Sequence, residues 1–347
     1  MGDMWDIARK QVKDSFSSRR FLIILGVFLL LSLASVYLGV QDYQMQLERF
    51  ASGDFYGAAP ERPSLIDVFT PLFGFNMPLT AGILGLLLSH DYISREREEG
   101  TIELLLSYPV YRDEIINGKL VAGIFTVAVS LLSAFTLSSG LAIFMLDTVP
   151  GLETISRLGM VWIGTVIYIT FFLGLGTFFS TLMRSRWRSL IGGGLVLLLF
   201  IGTPFLANMA ASQIYQFNPG EQPGTQPGPL PGPRTASSDM AVEREVAVGG
   251  GTGSTGGGKD RSSIEEQRAK VEAQRERFVS IVSRLSPSTS YSNFVGTMTG
   301  TEYESEQGLE PTFAESLSSS AGYLIFLISQ TLMVLTGAYA VFLRQDL

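Results

Sequence analysis

Three places in this 347-residue chain hold residue types that could do chemistry. His90, the single histidine, stands beside Asp91, a pairing that can orient an imidazole for base catalysis. No nucleophile is evident near it, and no second histidine exists to build a metal cluster, so His90 reads as an interfacial structural residue. Residues 253–260, Gly-Ser-Thr-Gly-Gly-Gly-Lys-Asp, approach a phosphate-cradling loop. Asp260 stands where a magnesium-binding hydroxyl is required and no apolar strand precedes it, so the segment reads as linker. The third place is residues 94–119, where dense charge, a glycine, an apolar triplet and a proline follow one another between two apolar runs. Its chemistry is mechanical: such a segment can receive and pass on a push.

The elements that must position it are apolar. Nearly half of the residues are hydrophobic, few are charged, and the apolar ones cluster. Six runs reach the roughly 20 residues needed to cross hydrocarbon: 21–40, 69–89, 120–146, 158–183, 190–211 and 321–343. The first has a long polar lead-in and no clean cleavage site, so it reads as a signal anchor. The expected fold is all-α, a polytopic membrane protein with six transmembrane helices. The net charge of −7 hides segregation. Arg9, Lys10, Lys13, Arg19 and Arg20 precede the first run, and Arg95, Arg97, Arg112 and Lys119 follow the second. Arg184, Arg186 and Arg188 fill the turn after the fourth, while the opposite loops carry mostly Asp and Glu. By the positive-inside rule both termini are expected in the cytoplasm, and the basic clusters read as topology determinants and lipid contacts, not nucleic-acid sites. With no cysteine, disulfides and thiolate chemistry are excluded.

Residues 1–20 carry Trp5, Ala8, Val12 and Phe16 at helical spacing, which predicts an amphipathic helix in the inner interface. It would serve as a lipid anchor or as a brace for a cytoplasmic subunit. Residues 21–211 hold five spans and the loop 90–119. Pro71, Pro78 and Pro204 are expected to kink the second and fifth. Residues 212–320 read as an extracytoplasmic cap with a Pro/Gly-rich, partly disordered insertion over 218–262, a helix over 264–285 and a polar return from Ser286. Residues 321–347 give the sixth span and a short tail. No run holds an Asp, Glu, Lys, Arg or His, which disfavours ion-coupled carriers and charged pores. Work done by these spans must be driven from outside them.

Within the loop, residues 91–99 are expected to continue the second span as helix until Gly100 breaks it. Thr101 is placed to cap a short helix over 102–108, with Glu103 in its first turn and Leu104, Leu105 and Leu106 as its sticky face. Pro109 ends it, and a further helix begins at residue 113 and runs through Glu114, Gly118 and Lys119 into the third span.

The run from Arg95 to Val110, Arg-Glu-Arg-Glu-Glu-Gly-Thr-Ile-Glu-Leu-Leu-Leu-Ser-Tyr-Pro-Val, followed by Arg112, Glu114, Gly118 and Lys119, resembles permease subunits of type-2 ABC exporters. Within that class it is most similar to the subgroup of the nitrous-oxide-reductase maturation permease. Tyr111 stands where many members carry Ser, and the Pro/Gly-rich insertion lies outside the common pattern. The resemblance implies that residues 101–108 form a coupling helix seated on a separate ATP-binding subunit, with Arg95, Glu98, Glu99 and Arg112 making charged contacts around it. It implies two ATPase copies carrying ATP and magnesium, a second permease copy or similar permease, no cofactor and no catalytic residue on this chain, and the plasma membrane of a prokaryote. Extrusion is the expected direction. The competing reading is a membrane scaffold or assembly factor whose outer cap binds a partner and is moved by ATPase strokes without net transport.

Overall fold

The computed structural model describes residues 2–53, 63–100, 112–215, 257–300 and 312–344. Among them every regular element is a helix, and five helices are long and apolar enough to cross a bilayer. The all-helical membrane fold expected from composition is therefore the fold observed.

Helix α1 (Gly2–Ser17) and α2 (Arg19–Ser52) are separated only at Ser18, which is extended. The sequence predicts a first span of 21–40, yet α2 continues twelve residues further. Nothing in the polar stretch after residue 40 breaks a helix until Gly53, whose φ of 67° supplies the left-handed stop. At 34 residues α2 is about 51 Å long, well beyond the ~30 Å hydrocarbon.

The second predicted span differs most from expectation. It is a composite: a 3-10 turn over Leu65–Phe69, a π-helical turn over Leu72–Asn76, and a 13-residue helix α3 (Met77–Ser89). Two prolines explain the changes of winding. Pro71 lacks an N–H and crowds the carbonyl four residues back, so regular α winding does not pass through it, and Pro78 is tolerated because it falls in the first turn of α3. The composite runs antiparallel to α2, joined by Asn76 Nδ2 donating to Ser35 Oγ at 2.8 Å. Gly39 makes this approach possible: a methyl group there would lie 1.9 Å from the Val68 carbonyl oxygen.

After α4 (Ser94–Glu98) come α5 (Arg112–Leu146) and α6 (Leu152–Leu182), joined by a turn at residues 147–151. Helix α6 is the axis of the bundle. Val161, Tyr168, Ile169, Phe172 and Leu173 are fully buried along it. Helix α7 (Arg186–Ile214) carries Pro204 within it. Helices α9 (Pro287–Thr299) and α10 (Phe313–Arg344) complete the main body, which comprises residues 1–203 and 284–347. A second compact unit covers Pro204–Ser283 and contains most of helix α8 (Gly257–Arg284), where the Tyr215 and Phe278 rings meet at 5.9 Å.

Helix α9 corrects the expectation of a polar return. It packs inside the bundle, with Tyr291, Phe294 and Met298 fully buried. Its hydroxyl side chains do not need water, because Ser290, Thr297 and Thr299 donate to carbonyls one turn back in their own helix. Tyr291 stacks on Tyr168 with centroids 4.6 Å apart and shares a 2.9 Å hydrogen bond with Thr165. Tyr168 also donates to the Pro78 carbonyl at 2.6 Å. Arg157, 6 % exposed, donates to the Met298 carbonyl at 2.9 Å and to Ser316 Oγ at 3.2 Å. It thereby pins the end of α9 and the start of α10 to α6.

The hydrogen bonds fix directions. Tyr168–Pro78 and Ser180–Ile93 place α3 parallel to α6, and Arg157–Ser316 and Thr331–Ile167 do the same for α10. Helix α1 lies against Gly118 at the start of α5. Both α1 and the last turn of α10 therefore sit at the end of the bundle that holds residues 90–100, here termed the loop end, with Arg157 at the far end.

Candidate functional site

At the loop end the chain leaves α3 through a tight turn, and three other helices hold that turn in place. The Ser180 hydroxyl of α6 accepts from the backbone N–H groups of Ile93 and Ser94, at 2.9 and 3.0 Å. Those are donors that the start of α4 would otherwise leave unsatisfied. His90 is spent structurally, as the sequence suggests: its Nδ1 lies 2.9 Å from the Leu87 carbonyl oxygen.

Lys119 is the buried charge of this region, 6 % exposed. Its ammonium donates to the Tyr92 carbonyl and to Glu96 Oε1, both at 2.5 Å. A lysine is rarely buried unless paired, and this one ties the first turns of α5 to both the α3–α4 turn and α4 itself. The neighbouring Tyr92 hydroxyl is buried without a hydrogen-bond partner among the described residues, and burial first, then the Asp91 charge, holds it far above the ordinary phenol range.

Glu98 closes the frame on the other side. One carboxylate oxygen accepts from the Arg186 backbone N–H at 2.9 Å and the other from the Arg186 side chain. A carboxylate thus caps the first residue of α7, where the helix dipole favours negative charge. The backbone bond first, and the side-chain bond second, holds the Glu98 pKa below the usual carboxylate range. Arg95 bonds Glu99 at 3.0 Å one helical turn on, which raises the arginine's pKa. Arg186 also lies 3.8 Å from Glu99. Arg97 donates to the Thr181 carbonyl at 3.0 Å, and burial, then the like charge of Arg184, lowers its pKa.

The Glu98 pair has a definite pH signature. A carboxylate whose folded pKa is depressed contributes above its unfolded value and is lost as pH falls through the folded one. Protection from amide exchange at residues 94–98 and 186–188, taken relative to the intrinsic rate at each pH from roughly pH 7 to pH 3, should hold through the ordinary carboxylate range and fall only below it. Glu98→Gln should remove that step. Protection lost near the normal glutamate pKa would refute the cap.

Of the residues singled out from sequence, the structure brings Arg95, Glu98 and Glu99 together with Arg186, and Lys119 together with Glu96. Gly100 has a φ of 67°, the left-handed conformation expected of a helix stop. Gly118 has a different use from any inferred earlier. A methyl group on it would lie 3.0 Å from Ile7 Cγ2 and 3.1 Å from the Met4 carbonyl, so it is where α1 crosses α5. The N-terminal helix, expected in the interface, packs on the bundle through Ile7 and Ala8 and leaves Trp5 exposed. Glu114 is half-buried in the first turn of α5. Thr101, Glu103, Leu104, Leu105, Leu106 and Pro109 lie outside the described residues, as does the side chain of Arg112. Sequence reasoning missed Glu96, Tyr92 and Ser180 as frame members and read Arg186 only as a topology signal. Neither Glu96, which lies farther from Lys119 in sequence than Glu103 and Glu114 do, nor Ser180, a hydroxyl in an apolar run, carries a signal that could have found it.

Comparisons with known proteins agree with the family resemblance. The family model described as ABC-2 family transporter protein matches residues 5–347. The probable ABC transporter permease protein NosY of Stutzerimonas stutzeri is 35 % identical over 153 residues, 44 % of this chain and 49 % of that protein. The protein of the same name from Pseudomonas aeruginosa is 35 % identical over 156 residues, 45 % of this chain and 50 % of that protein. The chain spans about half the length of the curated relatives it matches.

Proposed function

Because this chain belongs to the ABC-2 family of transporter proteins, we propose that it is the membrane-spanning permease half of an ATP-driven exporter, worked by separate ATPase subunits. Two ATPase copies, with their ATP and magnesium, and a second permease copy complete the assembly, in the plasma membrane of a prokaryote with both ends of the chain in the cytoplasm. Residues 101–108 are the segment on which the ATPase pushes, and the cargo moves outward.

One observation carries this reading: the segments on both sides of residues 101–111 are tied to the starts or ends of four helices. Lys119 links α5 to α4, Glu98 links α4 to the start of α7, and Ser180 links the α3–α4 turn to the end of α6. A force delivered at residues 101–111 would therefore tilt helices together instead of bending a loop, the behaviour required of a coupling element.

Charge reversal at Glu99, or Leu105→Asp, is expected to dissociate the co-purifying ATPase or to cut permease-stimulated ATP hydrolysis by roughly an order of magnitude, since a buried apolar anchor is worth about 2 kcal/mol or more. Retained association and activity in both variants would overturn the coupling assignment. Flux in proteoliposomes decides the rest. ATP-dependent cargo movement supports the exporter, and stimulated hydrolysis without movement supports a scaffold moved by ATPase strokes.

A further inference from the structure

The turn at Arg284–Ser286 lies at mid-height along the bundle, on its flank, with Arg284 and Leu285 exposed. Ser286 Oγ donates to the carbonyl of Phe200, near the middle of α7, and Gln330 Nε2, near the middle of α10, donates to the Leu285 carbonyl at 3.0 Å. From there α9 climbs beside α6 to Arg157 at the far end. The sequence shows no ionisable residue inside its apolar runs, and the fold nonetheless carries Arg284 to the depth of their centres. An ionisable residue at that depth is costly and is retained where it meets something of opposite charge.

A groove of about 400 Å³ opens beside it, lined by Arg284, Ser290, Asn293, Ser319, Tyr323 and Phe326. Its donors are uncommitted. Among the described residues no carboxylate pairs with Arg284, and neither the Asn293 amide nor the Tyr323 hydroxyl has a hydrogen-bond partner. The Ser290 and Ser319 hydroxyls give their hydrogens to backbone carbonyls of their own segments, so the groove's donors are those of Arg284, Asn293 and Tyr323. The other wall is apolar: Phe326 is 40 % exposed, and on the same helix Ile325, Leu332 and Met333 are more exposed still. A guanidinium, an amide and a phenol on one side and an apolar face on the other match a molecule with an anionic head and a hydrocarbon chain.

We propose that this groove between α9 and α10 binds the anionic head group of an amphiphile, a phosphate or phosphodiester on an acyl chain, with Arg284 and Asn293 holding the head and Tyr323 and Phe326 flanking the chain. The groove would take such a molecule with or without an ATPase attached, so its test is independent of the coupling assignment.

The test is retention of lipid by the purified full-length chain, released from neutral detergent and weighed by native mass spectrometry. Phosphatidylglycerol is compared with phosphatidylcholine of the same acyl chains. The wild-type chain should retain the anionic lipid roughly tenfold better, Arg284→Gln should erase that preference, and Arg284→Lys should keep most of it. Asn293→Ala should weaken retention a fewfold, which keeps the proposal testable if Arg284→Gln fails to fold. Equal retention of the two lipids would overturn it, as would an Arg284→Gln protein of unchanged thermal midpoint and unchanged preference. Displacement of the lipid by inorganic phosphate at matched concentration would point to a free anion and sink the amphiphile. A change of oligomeric state in Arg284→Gln, with lipid retention intact, would show instead that a second copy of the chain covers the groove.

Discussion

Lys119→Met is expected to destabilise the protein by about 3 kcal/mol, the range seen when one partner of a buried ion pair is removed. The lysine side chain is 8 % exposed and Glu96 is 19 % exposed. The substitution removes the ammonium that Glu96 and the Tyr92 carbonyl share, while the methionine itself packs almost as well as the lysine stem. The penalty is therefore the cost of the lost ion pair and hydrogen bond, not of lost volume. Adding Glu96→Gln to Lys119→Met should recover part of the loss, because a part-buried amide costs less to keep beside an apolar side chain than a part-buried charge does. Unfolding in detergent, monitored by helicity, gives both numbers. A loss under about 1 kcal/mol would place the pair among solvated surface ion pairs and dissolve the frame built on it.

Gly39→Ala should be nearly as damaging, for a steric reason. The added methyl would lie 1.9 Å from the Val68 carbonyl oxygen, a backbone atom in a 3-10 turn that cannot rotate aside. Either α2 or the composite segment must shift, and overpacking of this kind costs about 1–3 kcal/mol. Gly26 in the same helix is the control, since a methyl there meets nothing within 4 Å. The same Gly→Ala change at Gly26 should be neutral or stabilising by up to about 1 kcal/mol, as alanine favours helix. Thermal midpoints of the two variants should thus move in opposite directions. Equal shifts would mean that α2 and Val68 are not in contact in the membrane.

The sequence makes most of this fold legible because crossing hydrocarbon demands long apolar helices, and five such helices lie where the apolar runs predict them. It misleads where polarity and burial part company. Residues 287–299 are rich in Ser and Thr and look solvated, yet hydroxyls that bond back into their own helix can be buried at little cost, and α9 is built that way. The composite segment was half legible. Pro71 and Pro78 announce a disturbance, but a kink and a change of winding have the same signature in one dimension.

The loop-end frame shows a similar limit. The charges of residues 94–119 are visible at once, but their pairing is not, because Lys119 and Glu98 find their partners across distances in sequence that only the helix packing sets. Glu98 looks free to meet another subunit and is instead bonded to the start of α7. Arg284 is the plainest miss: it belongs to no apolar run, and only the turn beneath α9 carries it to mid-height on the bundle's flank.

Helix α6 runs unbroken for 31 residues, with Ser180 clamped at one extremity and Arg157 at the other. At 1.5 Å per residue these two fastenings are about 35 Å apart, more than the hydrocarbon thickness. The helix is in effect a stiff strut with a rivet at each membrane surface. A displacement of one rivet must arrive at the other within the time a rigid body takes to tip, so events on the two faces stay synchronised without any ion or ligand travelling between them.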